Sequence, residues 1–141
     1  MSDLTLVDTS VAVPLLVRSH AAHATVAAWA RGRQLRVSGH ALAETYSVLT
    51  RLPGDARVSV SDAVELIDAN FGETLLLSPE LARQVHRELA AHGVAGGATY
   101  DGLVALTARE HGAVLVTRDA RARSTYEALG VETRVPRPSD A

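Results

Sequence analysis

Leu4-Thr5-Leu6-Val7-Asp8-Thr9-Ser10 is the stretch that decides how this chain folds. Four apolar and β-forming residues run together, as in a strand buried on both faces of a parallel sheet. They end at an acid and two hydroxyl residues, side chains that cap a helix by accepting its first amide hydrogens. A buried strand that hands over at once to a helix is the opening of a β-α unit. The first helix is expected to run on through residue 16.

The same pattern recurs downstream. Residues 35–38 read as a second strand, followed by a helix over 40–52 that Pro53-Gly54 stops. Residues 74–77 read as a third strand, and Ser78-Pro79 as a cap with proline at the first helical position, opening a helix to residue 91. Residues 113–117 form the expected fourth strand, and 131–135 a fifth at the edge. Further helices are expected over 20–30, 62–70 with Ser61 as cap, 99–110 and 120–129. Residues 93–97 read as a break and 136–141 as a frayed tail. Strands alternating with helices predict a three-layer α/β/α fold around a mostly parallel sheet of about five strands.

The 141 residues fit one domain over 1–141, and 47% hydrophobic content is enough for a core. Cysteine is absent. That excludes a disulfide framework, a thiolate zinc site and a cysteine nucleophile, and it fits a reducing cytoplasm. No apolar run approaches the ~20 residues of a membrane span. Met1-Ser2-Asp3-Leu4 is acidic where a secretory signal would be basic, so an untargeted cytoplasmic protein is expected. The net charge of −2 does not announce a nucleic-acid binder, yet all 14 basic residues are arginine. Such a bias fits a GC-rich genome. Arginine forks also suit phosphates, so local patches can hold a polyanion against an acidic total.

In a parallel sheet, ligands bind at the carboxyl ends of the strands, where the strand order reverses. Asp8 follows the first strand and Asp119 lies just past the fourth. Asp101 falls in the first turn of the 99–110 helix, and Glu44 inside the 40–52 helix. Each has an ordinary structural explanation as a cap, a helix N-terminal acid or a turn residue. Their neighbourhoods argue further. Glu44 shares a helix stripe with Ala41 and Val48, and Asp101 heads Gly102-Leu103-Val104-Ala105-Leu106-Thr107-Ala108, apolar almost all round. An acid entering such a helix needs a partner, and few cations lie nearby in sequence. Converging acids without lysines point to an external hard cation, Mg²⁺ or Mn²⁺. Such ions coordinate phosphate oxygens and lower the pKa of bound water, and phosphodiester hydrolysis follows from that chemistry.

The segments 4–10, Ala43-Glu44, Tyr100–Ala108 and Leu115-Val116-Thr117-Arg118-Asp119 resemble, in order and spacing, the four acidic motifs of PIN-domain ribonucleases. Within that family the chain most resembles VapC-type toxins of bacterial toxin–antitoxin pairs, over residues 4–135. The resemblance implies a metal-dependent endoribonuclease, with Asp8 and Asp101 as principal metal ligands and Asp119 and Glu44 completing the acidic site. It implies supporting roles for the hydroxyls of Thr9, Ser10 and Thr117, which equally suit caps and strand ends. It also implies a homodimer, an RNA substrate and a VapB-like protein antitoxin. A fifth acid found in some members is replaced here by Ala120-Arg121-Ala122-Arg123, so nothing argues for a second, fully occupied metal.

Two rival readings lack necessary chemistry. A phosphoacceptor receiver domain needs a lysine at the phosphoryl group. A haloacid-dehalogenase-type phosphatase wants an aspartate where Ser10 stands, and a lysine as well. A catalytically silent PIN-like binding module is the other alternative, although all four acids are retained. His20 and His23 have no third ligand for zinc, and His92 and His111 suit helix C-termini. No histidine is expected to be catalytic. Trp29, Tyr46, Phe71, Tyr100 and Tyr126 are spread too widely to suggest a base-stacking platform, and core or interface packing is expected instead. Arg118, Arg121 and Arg123 surround the last acidic motif and either hold RNA phosphates or pair with neighbours such as Glu127. Helices 20–30 and 40–52 carry Val26, Ala27, Trp29, Ala30, Leu42, Tyr46 and Leu49, an apolar excess that would suit a partner.

Overall fold

Successive side chains of a strand point to opposite faces of its sheet, and β1 (Thr5–Val7) is apolar on both. Leu6 packs into one hydrophobic cluster and Val7 into another. β3 (Val114–Val116) divides its side chains in the same way, Leu115 to the first cluster and Val116 to the second. Each cluster is the contact layer between the sheet and one set of helices. α1 (Thr9–Leu16), α2 (His23–Ala30), α3 (Gly39–Thr50) and α4 (Val60–Asn70) cover the Val7 face. α5 (Pro79–Ala91), α6 (Ala98–His111) and α7 (Ala120–Ala128) cover the Leu6 face. The computed structural model describes residues 4–138.

The sheet is completed by β2 (Leu35–Arg36) and β4 (Thr133–Arg134) in the order β2-β1-β3-β4, every pair parallel. The fold is thus the expected three-layer α/β/α, with four strands in place of about five. The expected strand at 74–77 is reduced to a single bridge between Ser38 and Leu75. The reason lies in its spacing against β2. Carbonyls two residues apart, Leu35 and Val37, accept from amides three residues apart, Gly72 and Leu75, at 2.9 and 3.0 Å. One extra residue breaks the ladder, as in a bulge. Leu76 then turns to solvent, and Ser78 starts α5.

Three smaller expectations shift as well. α4 is capped by Ser59, which accepts from the Asp62 amide, rather than by Ser61. The helix expected from residue 20 begins at His23, because the His20 ring accepts from the Ala22 amide and closes a turn first. The expected frayed tail is anchored at its start by buried Pro136, and its last three residues lie outside the described ones. Among the described residues no helix is long and apolar enough to cross a membrane.

Strand order fixes where a cleft opens. From β1 the chain crosses to β2 on one side, and from β3 to β4 on the other, so the order reverses between β1 and β3. Helices α1 and α7 leave the carboxyl ends of these two strands on opposite faces and part there.

Candidate active site

Asp8 and Asp119 flank this switch point, and both are helix caps. Asp8 caps α1, accepting the Ser10 amide at 3.1 Å. Asp119 caps α7, accepting the amides of Arg121 and Ala122 at 2.9 and 3.3 Å. Their ordinary structural role is therefore real, and it aims two carboxylates into one crevice beside two positive helix ends. α3 and α6, from opposite layers, also touch each other, and they bring in Glu44 and Asp101. The resulting cleft of about 190 Å³ is lined by all four acids together with Thr9, Ser10, His40, Val48, Tyr100, Val104 and Tyr126.

Asp8 is the most enclosed of the four, 5% exposed. An unpaired buried carboxylate is very costly, and this one is held by three donors. Tyr126 Oη donates to Oδ2 at 2.8 Å, while the hydroxyl and amide of Ser10 donate to Oδ1. Burial still pushes its carboxyl above the ordinary range, and the hydrogen bonds from Ser10, Thr117 and Tyr126 oppose that. Asp101 is also raised, by burial first and then by the charges of Asp119, Asp8 and Glu44, with His40 opposing. Tyr126 is pushed far above the usual phenol range by burial and the Asp8 charge, so it stays a neutral donor.

The hydroxyls tie the two strand ends together. The Ser10 hydroxyl donates to Asp8, and the Thr117 hydroxyl lies 3.3 Å from the Ser10 oxygen. Ser10 Oγ also accepts the Arg118 amide at 2.8 Å, and Thr117 Oγ1 accepts the Asp119 amide at 3.0 Å. The Thr9 hydroxyl donates to Glu44 Oε1, joining α1 to α3. Each of these three hydroxyls thereby has a partner.

No arginine pairs with the four acids among the described residues; the ion pairs there are Arg109 and His92 with Glu88, Arg123 with Glu127, and Arg134 with Glu132. A set of mutually repelling oxygens with no internal cation fits a hard divalent ion. As placed, no three such side chains among the described residues are gathered tightly enough to hold an ion. Thr9 holds Glu44 and the α7 amides hold Asp119, so closing on a cation takes side-chain movement.

The PIN domain family model matches residues 5–128. The chain belongs to the PIN domain family. It is 57% identical to Ribonuclease VapC27 of Mycobacterium tuberculosis over 129 residues, covering 92% of this chain and 94% of that protein. Ribonuclease VapC40 of the same species is 45% identical over 129 residues, covering 91% and 96%. Among solved structures, VapBC2 from Rickettsia felis, bound to a DNA fragment from their promoter, superposes with a TM-score of 0.64 at 15% identity, covering 94% of this chain and 98% of that one.

This PIN domain brings together Asp8, Glu44, Asp101, Asp119, Thr9 and Ser10 around the cleft, with Thr117 buried just beneath. Glu44 lies outside the buried α3 stripe of Ala41, Thr45 and Leu49 and is exposed at the lip. Arg118 reaches the ledge, its guanidinium donating to the Ser10 carbonyl at 3.2 Å. Arg121 and Arg123 do not line the cleft. The Arg123 side chain turns to Thr133 and Glu127.

Sequence reasoning passed over three cleft residues. Tyr126 is core, as expected, but its hydroxyl had to find a buried partner, and it stands two helical turns beyond Asp119. His40 and Tyr100 stack with ring centroids 5.4 Å apart. No local pattern signals that pair, because its members belong to different helices. The His20 ring accepts from the Ala22 amide at 3.0 Å, and the His23 ring is hydrogen-bonded to the Pro14 carbonyl at 2.8 Å.

Proposed function

We propose that this chain is a Mg²⁺- or Mn²⁺-dependent endoribonuclease, the toxin of a toxin–antitoxin pair. It acts in the cytoplasm as a homodimer and is restrained by a VapB-like protein antitoxin. The observation that carries the reading is four carboxylates around one cleft at the switch point, with no basic side chain paired to them among the described residues. The ribonuclease names of the relatives at 57% and 45% identity support the substrate class. The VapBC2 complex supports a protein partner.

Asp8, Asp101 and Asp119 would hold the ion, and Glu44 completes the acidic site. A bound Mg²⁺ or Mn²⁺ supplies charge neutralisation at the phosphate and a water of lowered pKa. The chain's own residues prepare that chemistry. Ser10 and Tyr126 fix both oxygens of Asp8, so its orientation is set before any ligand arrives. Thr9 holds Glu44 at the lip. Thr117 and Ser10 lock the ends of β1 and β3 together, keeping Asp8 and Asp119 in register. Arg118 at the ledge, with Arg121 and Arg123 of α7 outside the cleft lining, would hold RNA phosphates.

The test replaces acids by their amides, which keep the shape and remove the charge. Asp8→Asn and Asp101→Asn lose RNA cleavage by at least about a hundredfold while the proteins melt cooperatively. Full activity in both variants would overturn the reading.

A further inference from the structure

The acids of this cleft repel a phosphate backbone, and the net charge of −2 gives the molecule no general pull on RNA. Attraction that does not depend on charge is therefore valuable at this position. The cleft contains a source of it. Tyr100 immediately precedes Asp101, lines the same cleft and is 58% exposed. Its ring lies against His40 at an interplanar angle of 15°, so one face is supported and the ring's orientation is set. The aliphatic side chains of Val48 and Val104 line the cleft as well. An exposed aromatic ring, backed by a second ring and adjoining a phosphate-handling acid, matches a nucleotide part by part.

We propose that the Tyr100–His40 stack is a base-stacking platform, which seats an unpaired nucleobase next to the phosphate held at the acidic cleft. This rests on the ribonuclease reading and names the form of its substrate: single-stranded RNA with a splayed base, the form that aromatic side chains recognise. Tyr100 supplies the contact face, and His40 is a positioning residue that holds the ring.

The test compares an eight-nucleotide oligouridine with a stable abasic oligomer of the same length, with Ca²⁺ replacing Mg²⁺ to keep the RNA uncut. Tyr100→Ala and Tyr100→Leu bind oligouridine roughly tenfold more weakly than wild type, by the usual strength of base–aromatic stacking. They bind the abasic oligomer as wild type does. Tyr100→Phe and Tyr100→Trp keep the ring and keep the affinity, and His40→Ala falls between. The loss is the same at low and high salt, which separates stacking from phosphate contact. Equal losses on both oligomers, or no loss in the Ala and Leu variants, would overturn the platform. Cleavage by the wild-type protein in Mg²⁺ is scored separately. Its absence, with base discrimination intact, would overturn the nuclease reading and leave the platform standing.

Discussion

Asp8 joins structure to chemistry at a single residue. It caps α1, lies almost fully buried and accepts from the phenol of Tyr126 at 2.8 Å. Burial raises its carboxyl above the ordinary range, so ionising it works against folding as pH rises beyond the unfolded value near 4. Tyr126 offsets part of that opposition. Tyr126→Phe should therefore destabilise the domain most at pH 8, by roughly 1.5–3 kcal/mol, as for a lost hydrogen bond to a buried charge. The deficit shrinks as the pH falls and Asp8 takes up its proton. Urea unfolding at several pH values measures this, and a pH-independent deficit would contradict it. At this scale the acids were legible because position announced them: Asp8 and Asp119 each follow a strand. Tyr126 and the Tyr100–His40 stack were not, since their partners come from distant segments of chain.

Among the elements, α6 sets the position of Asp101, and its packing rests on a missing side chain. A β-carbon at Gly102 would stand 2.4 Å from Leu89 of α5, a core residue. Gly102→Ala should therefore cost about 1–3 kcal/mol through overpacking. Leu89→Ala alone leaves a cavity, while the double variant loses less than the sum of the two, because each relieves the other. Additive losses in chemical denaturation would show that the two side chains do not meet. α7 offers a second test. Replacing both Arg121 and Arg123 with Ala should flatten the salt dependence of RNA binding, by about 0.7 in slope for each phosphate contact removed. Arg123 already has Glu127 and Thr133 as partners, so an unchanged slope would assign both arginines to the solvated helix face. The elements themselves were largely legible from caps and apolar runs. The expected third strand failed because register against β2, which no local run reveals, allowed only one bridge.

For the whole molecule, the expected apolar excess divides in two. Val26, Trp29 and Leu49 are core, whereas Leu42, Ala43 and Tyr46 of α3 line a groove of about 360 Å³ with Val64 and Ile67 of α4. Val64 is half exposed. Sedimentation should find a dimer at micromolar concentration, and the purified antitoxin should suppress cleavage. A monomer that stays fully active with bound antitoxin would contradict that account. The acidic cleft tests the central claim most directly, because the proposed ion would both relieve repulsion within it and support catalysis. Chelator-stripped protein is titrated with Mn²⁺ while melting temperature and RNA cleavage are followed together. The wild type should gain thermal stability and activity over the same concentration range, and Asp101→Asn should gain neither. Full cleavage in excess chelator, or by Asp101→Asn, would contradict the account.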